Sequence, residues 1–217
     1  MKVGIVGGTG DIGEGMALRI SQVHEVILGS REVEKACASS DACHLALDEK
    51  GLPCTCSGLS NQDAVDGAEV VILAIPFQHV AATLSSLTGF EGKVVVSPVN
   101  PIGRKEHFFF APPPEGSAAQ LIARILPPTA RVCTAFNNIA AGSWKAIDTP
   151  LAHSVAVCGD DPAAKGVVIG LANSIPRLAG FDAGPLAVSP MVEAITPLLL
   201  NIAKYQKMRD VGIRFSW

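Results

Sequence analysis

The segment Gly8-Thr9-Gly10-Asp11-Ile12-Gly13 lies between the apolar run Val3 to Val6 and a stretch whose apolar residues recur at helical spacing. A G-x-G-x-x-G turn that joins a strand to a helix is the phosphate-binding fingerprint of a βαβ dinucleotide unit. Gly8 allows the tight turn, Gly10 lets the backbone approach a pyrophosphate, and Gly13 lets the helix pack closely on the strand. The N–H groups at the helix start then face the phosphates. No Gly-Lys-Ser/Thr follows, which excludes a P-loop.

The rest of the chain agrees with such a unit. Strand-like runs occur at Lys2–Val6, Glu25–Leu28, Val70–Ile75, Lys93–Pro98, Arg131–Phe136 and Ser154–Cys158. Helical patterns lie between them at Ile12–Gln22, Arg31–Lys50, Phe77–Leu87, Ser117–Leu126 and Pro162–Ser174. This alternation predicts an α/β fold of the Rossmann type, a doubly wound parallel sheet. Val70–Ile75 and Val94–Val96 are unbroken apolar runs and belong to its middle, where helices cover both faces. After about residue 176 the pattern changes to a turn-rich stretch, Ala179–Pro185, then a long apolar helix from Val188 to Lys207 and a tail, Gly212–Trp217. The expected division is therefore a dinucleotide-binding domain, 1–176, and a small C-terminal subdomain, 177–217. Phe108–Phe110 precede Pro112-Pro113-Pro114 and Gly116 and read as a loop whose rings pack beneath it or cover a ligand or partner.

The end of the second strand selects the dinucleotide, because NAD enzymes place an acid there to hold the ribose 2′-hydroxyl. This chain reads Leu28-Gly29-Ser30-Arg31, with Lys35 one helical turn on. A hydroxyl, a guanidinium and an ammonium suit a 2′-phosphate, so NADP is the expected cofactor. Ser30 can also cap the following helix, which is compatible with anion binding.

Composition removes other classes. A net charge of −3, from 17 basic and 20 acidic residues, gives no footprint for nucleic acid. The run Pro197–Ala203 is too short to span a bilayer, and Met1 leads directly into a strand, so no membrane association and a cytoplasmic location are expected. Six cysteines without a CxxC pair read as free thiols. With 48% hydrophobic and 17% charged residues, together with the long apolar helix, a homodimer is expected. The sequence holds no Ser/His/Asp set, no paired carboxylates at a motif spacing and no metal cluster, so neither a catalytic side chain nor a metal is expected. His79, after Ile75-Pro76, is placed at the ligand edge as a ribose or amide contact or as packing. His24, His44, His107 and His153 are assigned to surface or loop positions.

Beyond the fingerprint, the chain resembles the NADPH-dependent reductases of coenzyme F420. The resemblance is carried by Gly7-Gly8-Thr9-Gly10, Gly29-Ser30-Arg31, Ser97-Pro98-Val99, Gly116-Ser117-Ala118-Ala119 and Val157-Cys158-Gly159-Asp160-Asp161. It continues through Asp182-Ala183-Gly184-Pro185-Leu186, Val192-Glu193, Thr196-Pro197-Leu198-Leu199-Leu200-Asn201-Ile202 and Gly212-Ile213-Arg214-Phe215. It implies hydride transfer between NADP(H) and a 5-deazaflavin, with rings stacked and water excluded instead of acid–base catalysis. On matching positions it implies NADP contacts from Thr9, Gly10, Asp11, Ile12, Ser30, Arg31 and Lys35. Ile75, His79, Val99 and Ala141 would wall the ribose and nicotinamide, and Val211 would touch the deazaflavin. One departure follows the Ala135-Phe136 strand end, where members of the family often carry His and this chain has Asn137-Asn138; Asn137 is expected to donate a hydrogen bond. A small-substrate imine, keto-acid or hydroxy-acid reductase and a non-catalytic NADP sensor remain as alternatives.

Overall fold

The computed structural model describes residues 1–216; Trp217, the last residue of the tail, lies outside the described residues. The first half alternates β1 (Lys2–Val6), α1 (Asp11–Ile20), β2 (Glu25–Ser30), α2 (Val33–Asp48), β3 (Cys56–Ser60), α3 (Asn61–Asp66), β4 (Val70–Leu73), α4 (Val80–Ser85) and β5 (Val94–Ser97). A hairpin, β6 (Ile102–Arg104) and β7 (Phe108–Phe110), precedes α5 (Ala118–Ile125) and β8 (Arg131–Thr134). The chain ends with α6 (Ala141–Lys145), β9 (Ser154–Gly159), α7 (Pro162–Asn173), β10 (Ala179–Gly184) and α8 (Ser189–Gln206). The main sheet has the order β10-β9-β8-β5-β4-β1-β2-β3.

Burial explains why the central strands lack alternation. Val70 and Ile72 of β4 and Val94 and Val96 of β5 enter a core with Met16, Ile20 and Leu171. Their neighbours Val71, Leu73 and Val95 enter a second core with Val80, Leu84 and Ile122. Helices cover both faces, as the sequence predicts.

Several readings need correction. The sheet is parallel from β3 through β8, but β9 runs antiparallel to β8, pairing Cys133 with Gly159 and Thr134 with Cys158. The link from β8 contains only the single-turn α6 and stays at the edge where β8 ends, so β9 enters from that edge and no crossover is made. The stretch read as turn-rich, Ala179–Pro185, holds β10, which pairs parallel with β9 as the last strand of the same sheet. β3 is a further strand that the apolar pattern does not predict. Both are edge strands with half-exposed burial patterns, so neither carries a continuous apolar run.

The triple-Phe segment is likewise β7 and not a loop. Its backbone is gripped by α8: Phe108 N–H donates to Asn201 Oδ1 at 2.9 Å, and Asn201 Nδ2 donates to Phe108 O at 2.8 Å. The apolar helix forms as expected, and its apolar stretch extends well beyond the run Pro197–Ala203. Leu186–Gln206, with mean hydropathy 1.6, is long and apolar enough by length and composition to cross a membrane, yet Val192, Glu193 and Leu199 bury one side of it in the fold. All six cysteines are free.

Candidate active site

β1 and β4 are neighbours, and the chain leaves them toward opposite flanks, so their carboxyl ends diverge and leave a crevice. A groove of about 360 Å³ occupies it, lined on one side by Gly7, Thr9 and Gly10 and on the other by Ile75, Pro76 and His79. Ser30, Arg31 and Lys35 close one end. The predicted groove residues from three separate turns are therefore brought together.

The glycines of the fingerprint have the expected reasons. A Cβ on Gly13 would lie 2.6 Å from Gly8 Cα, so helix and turn touch directly. A Cβ on Gly10 would meet no protein atom closer than 3.6 Å, so the space above Gly10 is left for something other than protein. No side chain caps α1, which leaves the N–H groups of its first turn for an anion. Gly8 and Gly13 are buried under the turn, while Ile12 is half-buried and packs on the core. This cradle fits a pyrophosphate.

The first turn of α1 is nevertheless acidic, with Asp11 and Glu14, and uncompensated carboxylates would repel a phosphate. Lys145 of α6 resolves the conflict: its Nζ lies 2.7 Å from Asp11 Oδ1 and 3.0 Å from Glu14 Oε2. The Lys145 ammonium holds the Asp11 carboxyl below its ordinary range through a hydrogen bond and charge. Arg19 of α1 fixes α6 by donating to the carbonyls of Trp144, Ser143, Ala146 and Thr149 at 2.7–3.0 Å. Neither long-range pairing is visible in sequence.

At the end of the groove closed by Ser30, Arg31 and Lys35, Ser30 does not cap α2. The helix starts at Val33, and Ser30 Oγ instead accepts the Glu32 N–H at 3.2 Å, shaping the turn. Arg31 is exposed and makes no ion pair, whereas Lys35 pairs with Glu32 at 2.7 Å. Asn61 also lines the groove, and its Oδ1 accepts the Gly7 N–H at 3.0 Å. Sequence reading misses Asn61 because it misses β3; Asn61 follows the carboxyl end of that strand as Arg31 follows β2.

Asn137 and Val211 do not line this groove. They line a second cavity of about 150 Å³ beyond the end of β8, with Ile139, Thr196, Leu199 and Ala203. Asp210 is the one ionisable side chain among the residues lining it. Val99 is buried, 4% exposed, and linked to this cavity by Asn137 Nδ2, which donates to Val99 O at 3.1 Å. Ala141 opens α6, where the next residue, Gly142, leaves room for the Asp210 carboxylate. Asn137 does donate, and it does so within the protein. Its second donor contact goes to Asn100 Oδ1 at 3.2 Å, so its N–H groups are engaged within the protein.

The cavity wall is anchored by a buried acid. Glu193 of α8 is fully buried and accepts the N–H groups of Ala118 and Ala119, at 2.8 and 3.0 Å, at the start of α5. Burial outweighs these bonds and pushes its carboxyl up to about 7. Ser117 Oγ, which caps α5, meets Ser189 Oγ at 2.7 Å and completes the junction. His153, assigned to a surface or loop position, has both ring nitrogens buried without a hydrogen-bond partner, against Gly212 of the tail. Burial, with the nearby Arg19 charge, holds it below its usual pKa.

A doubly wound sheet with an uncapped glycine turn at its switch point defines a dinucleotide-binding protein of the Rossmann type. Comparison with known proteins narrows that class. Residues 2–101 match the family model for NADP oxidoreductase, coenzyme F420-dependent. The F420-dependent NADP reductase of Methanocaldococcus jannaschii is 36% identical over 222 residues, covering 100% of this chain and 98% of the relative. That of Methanothermobacter thermautotrophicus is 36% identical over 225 residues, covering 100% and 95%. The solved structure of an Arthrobacter sp. FB24 protein superposes with a TM-score of 0.79 over 100% of both chains at 24% identity, which supports the fold. The chain belongs to the family of F420-dependent NADP reductases.

Proposed function

We propose that the protein carries a hydride between NADP(H) and coenzyme F420. The observation that carries this reading is the placement, along one carboxyl edge of the sheet, of a groove built for a phosphorylated dinucleotide and an apolar cavity walled by α8 and the tail. Gly8, Thr9, Gly10, Asp11, Ile12 and Gly13 would hold the pyrophosphate through turn and helix backbone, and Ser30, Arg31 and Lys35 the 2′-phosphate. Ile75, His79, Val99 and Ala141 would wall the ribose and nicotinamide, and Asn137 and Val211 the deazaflavin. The two coenzymes supply the redox chemistry themselves: NADPH, a proton and F420 give NADP and reduced F420. The chain's task is then to align rings and exclude water. Reduction of a small imine or keto acid would call for a placed proton donor, and the cavity offers only Asp210.

Residues 177–217 complete the F420 site in this reading. A cavity of about 150 Å³ is below the roughly 300 Å³ typical of a ligand pocket, so α8 or the tail must yield as a ring enters. The protein works in the cytoplasm, a reducing compartment that six free thiols suit. It works as a homodimer through the outer face of α8. Met191, Ile195, Leu198, Ile202 and Tyr205 recur at alternating steps of four and three residues, the seam of a helix pair. Met191 is 74%, Leu198 59% and Tyr205 64% exposed, and a second copy supplies a helix of matching phase. Light scattering at micromolar concentration should give a dimer, and Leu198→Glu a monomer; wild type that is purely monomeric overturns this assembly.

The test of function is loss of the deazaflavin's visible absorbance when the protein meets oxidised F420 and NADPH, with NADH as control. Bleaching with NADPH alone supports both the reaction and the cofactor choice. Binding of NADPH without bleaching would favour the small-substrate reductase or the sensor.

A further inference from the structure

Asn137 sits in a polar network whose donors and acceptors can be assigned without ambiguity. Asn100 Nδ2 donates to Pro98 O at 3.4 Å and Asn137 O at 3.0 Å, both carbonyls, so the Asn100 amide has one orientation and its Oδ1 must accept. Asn137 Nδ2 supplies that bond and a second to Val99 O. A flipped Asn137 amide would set oxygen against two acceptors, so its orientation is fixed too. Thr196 Oγ1 donates to Asn137 O at 2.7 Å and thereby spends its own hydrogen. What remains is Asn137 Oδ1, a buried acceptor with no partner.

Such an atom is destabilising when left unmet, because its desolvation goes uncompensated. The backbone beside it is also held in an unfavourable state. Phe136 has φ of 66°, in the left-handed region that bulky side chains avoid, and is kept there by burial and an edge contact with Trp144, ring centroids 5.8 Å apart. Strain and an unmet polar atom at one strand end, beside a cavity, mark a position maintained for a ligand and not for stability.

We propose that Asn137 determines specificity in the deazaflavin pocket, its Oδ1 accepting the N–H of the coenzyme's pyrimidinedione ring. This rests on the functional reading above. The pyrimidinedione is an imide whose single ring N–H stands between two carbonyls, and an acceptor is what that edge demands. Leu199, Ala203 and Ile139 offer the apolar remainder of the ring a matching surface. The oxygen is shut off from solvent, so the bond forms only as the cavity widens around an entering ring.

The test measures dissociation constants by fluorescence for 5-deazariboflavin and its N3-methyl derivative, with wild type, Asn137→Ala and Asn137→Ser, and for NADPH with each protein. Methylation should weaken binding to wild type about tenfold or more and binding to either variant less than threefold, with NADPH affinity unchanged. Equal losses in wild type and variants, or no loss in wild type, overturn the assignment. So does a variant that weakens NADPH but spares the deazaflavin, which would place the nicotinamide carboxamide on Oδ1. Should both variants fail to fold, the wild-type arm decides. NADPH-dependent bleaching of F420 by wild type is run alongside: its absence defeats the functional reading, while bleaching with methylation-insensitive affinity defeats only the role of Asn137.

Discussion

Replacing Glu193 by glutamine should abolish a pH dependence of stability that the buried acid imposes on the whole fold. The folded carboxyl titrates at about 7 and the unfolded one near 4.5, so the native state binds the extra proton more tightly. Its contribution is therefore fully present below pH 4.5, falls as pH rises through that window, and is gone above about 7. The gap of roughly 2.5 units corresponds to about 3 kcal/mol, or about 6–12 °C in Tm for a chain of this size. The glutamine of Glu193→Gln keeps an oxygen for one of the two N–H groups of α5 and presents N–H to the other, a loss that does not vary with pH. Thermal and urea melts of both proteins from pH 4.5 to 8 isolate the effect, because every other titrating group is shared. The variant should gain on wild type by about 3 kcal/mol across that range. A difference that stays constant with pH would show that the two N–H groups and the start of α5 compensate the buried charge, and would refute the reasoning.

Two further outcomes concern the groove. Arg31→Ala should weaken NADPH about 10- to 100-fold while leaving NADH nearly unchanged, as titration calorimetry would show; equal loss of both would move the 2′-phosphate away from Arg31. Lys145→Met should expose Asp11 and Glu14 to the pyrophosphate and weaken NADPH and NADH alike, by about three- to tenfold at low salt and less at high salt. Unchanged affinity at low salt would mean that those carboxylates do not face the anion.

How much can be read from sequence follows the range of the interaction. The G-x-G-x-x-G turn is a local device within one loop, so the close contacts at Gly8 and Gly13 and the open space over Gly10 follow from the pattern residue by residue. Ser30, Arg31 and Lys35 are legible because a topological rule places the end of β2 beside the end of β1. Asn61 obeys the same rule from the end of β3 but escapes, since Cys56-Ser57-Gly58-Leu59-Ser60 is too polar to announce a strand. Lys145 is out of reach altogether. It meets Asp11 across 134 residues, and no local pattern encodes a contact of that range. The reversal of β9 is hidden for a related reason: a one-turn helix in a linker looks like a loop until its packing on α1 is known.

α8 shows how a strong apolar pattern outweighs conflicting local signals, since the helix expected from Val188 to Lys207 is observed at Ser189–Gln206. Pro197 lies in mid-helix, where it removes a backbone donor, and Glu193 is an acid on a side that is otherwise apolar. Taken singly, each conflicts with a buried helix. Tertiary packing answers them: Glu193 receives two N–H groups from α5, and Pro197 is buried. Thr196, beside the proline, bonds to the backbone of Asn137, so the proline-bearing turn is also one that lines the cavity. Glu193, Thr196 and Pro197 thus stand within about one turn of α8, beside the cavity that Thr196 and Asn137 line and next to Phe136, held at φ of 66°.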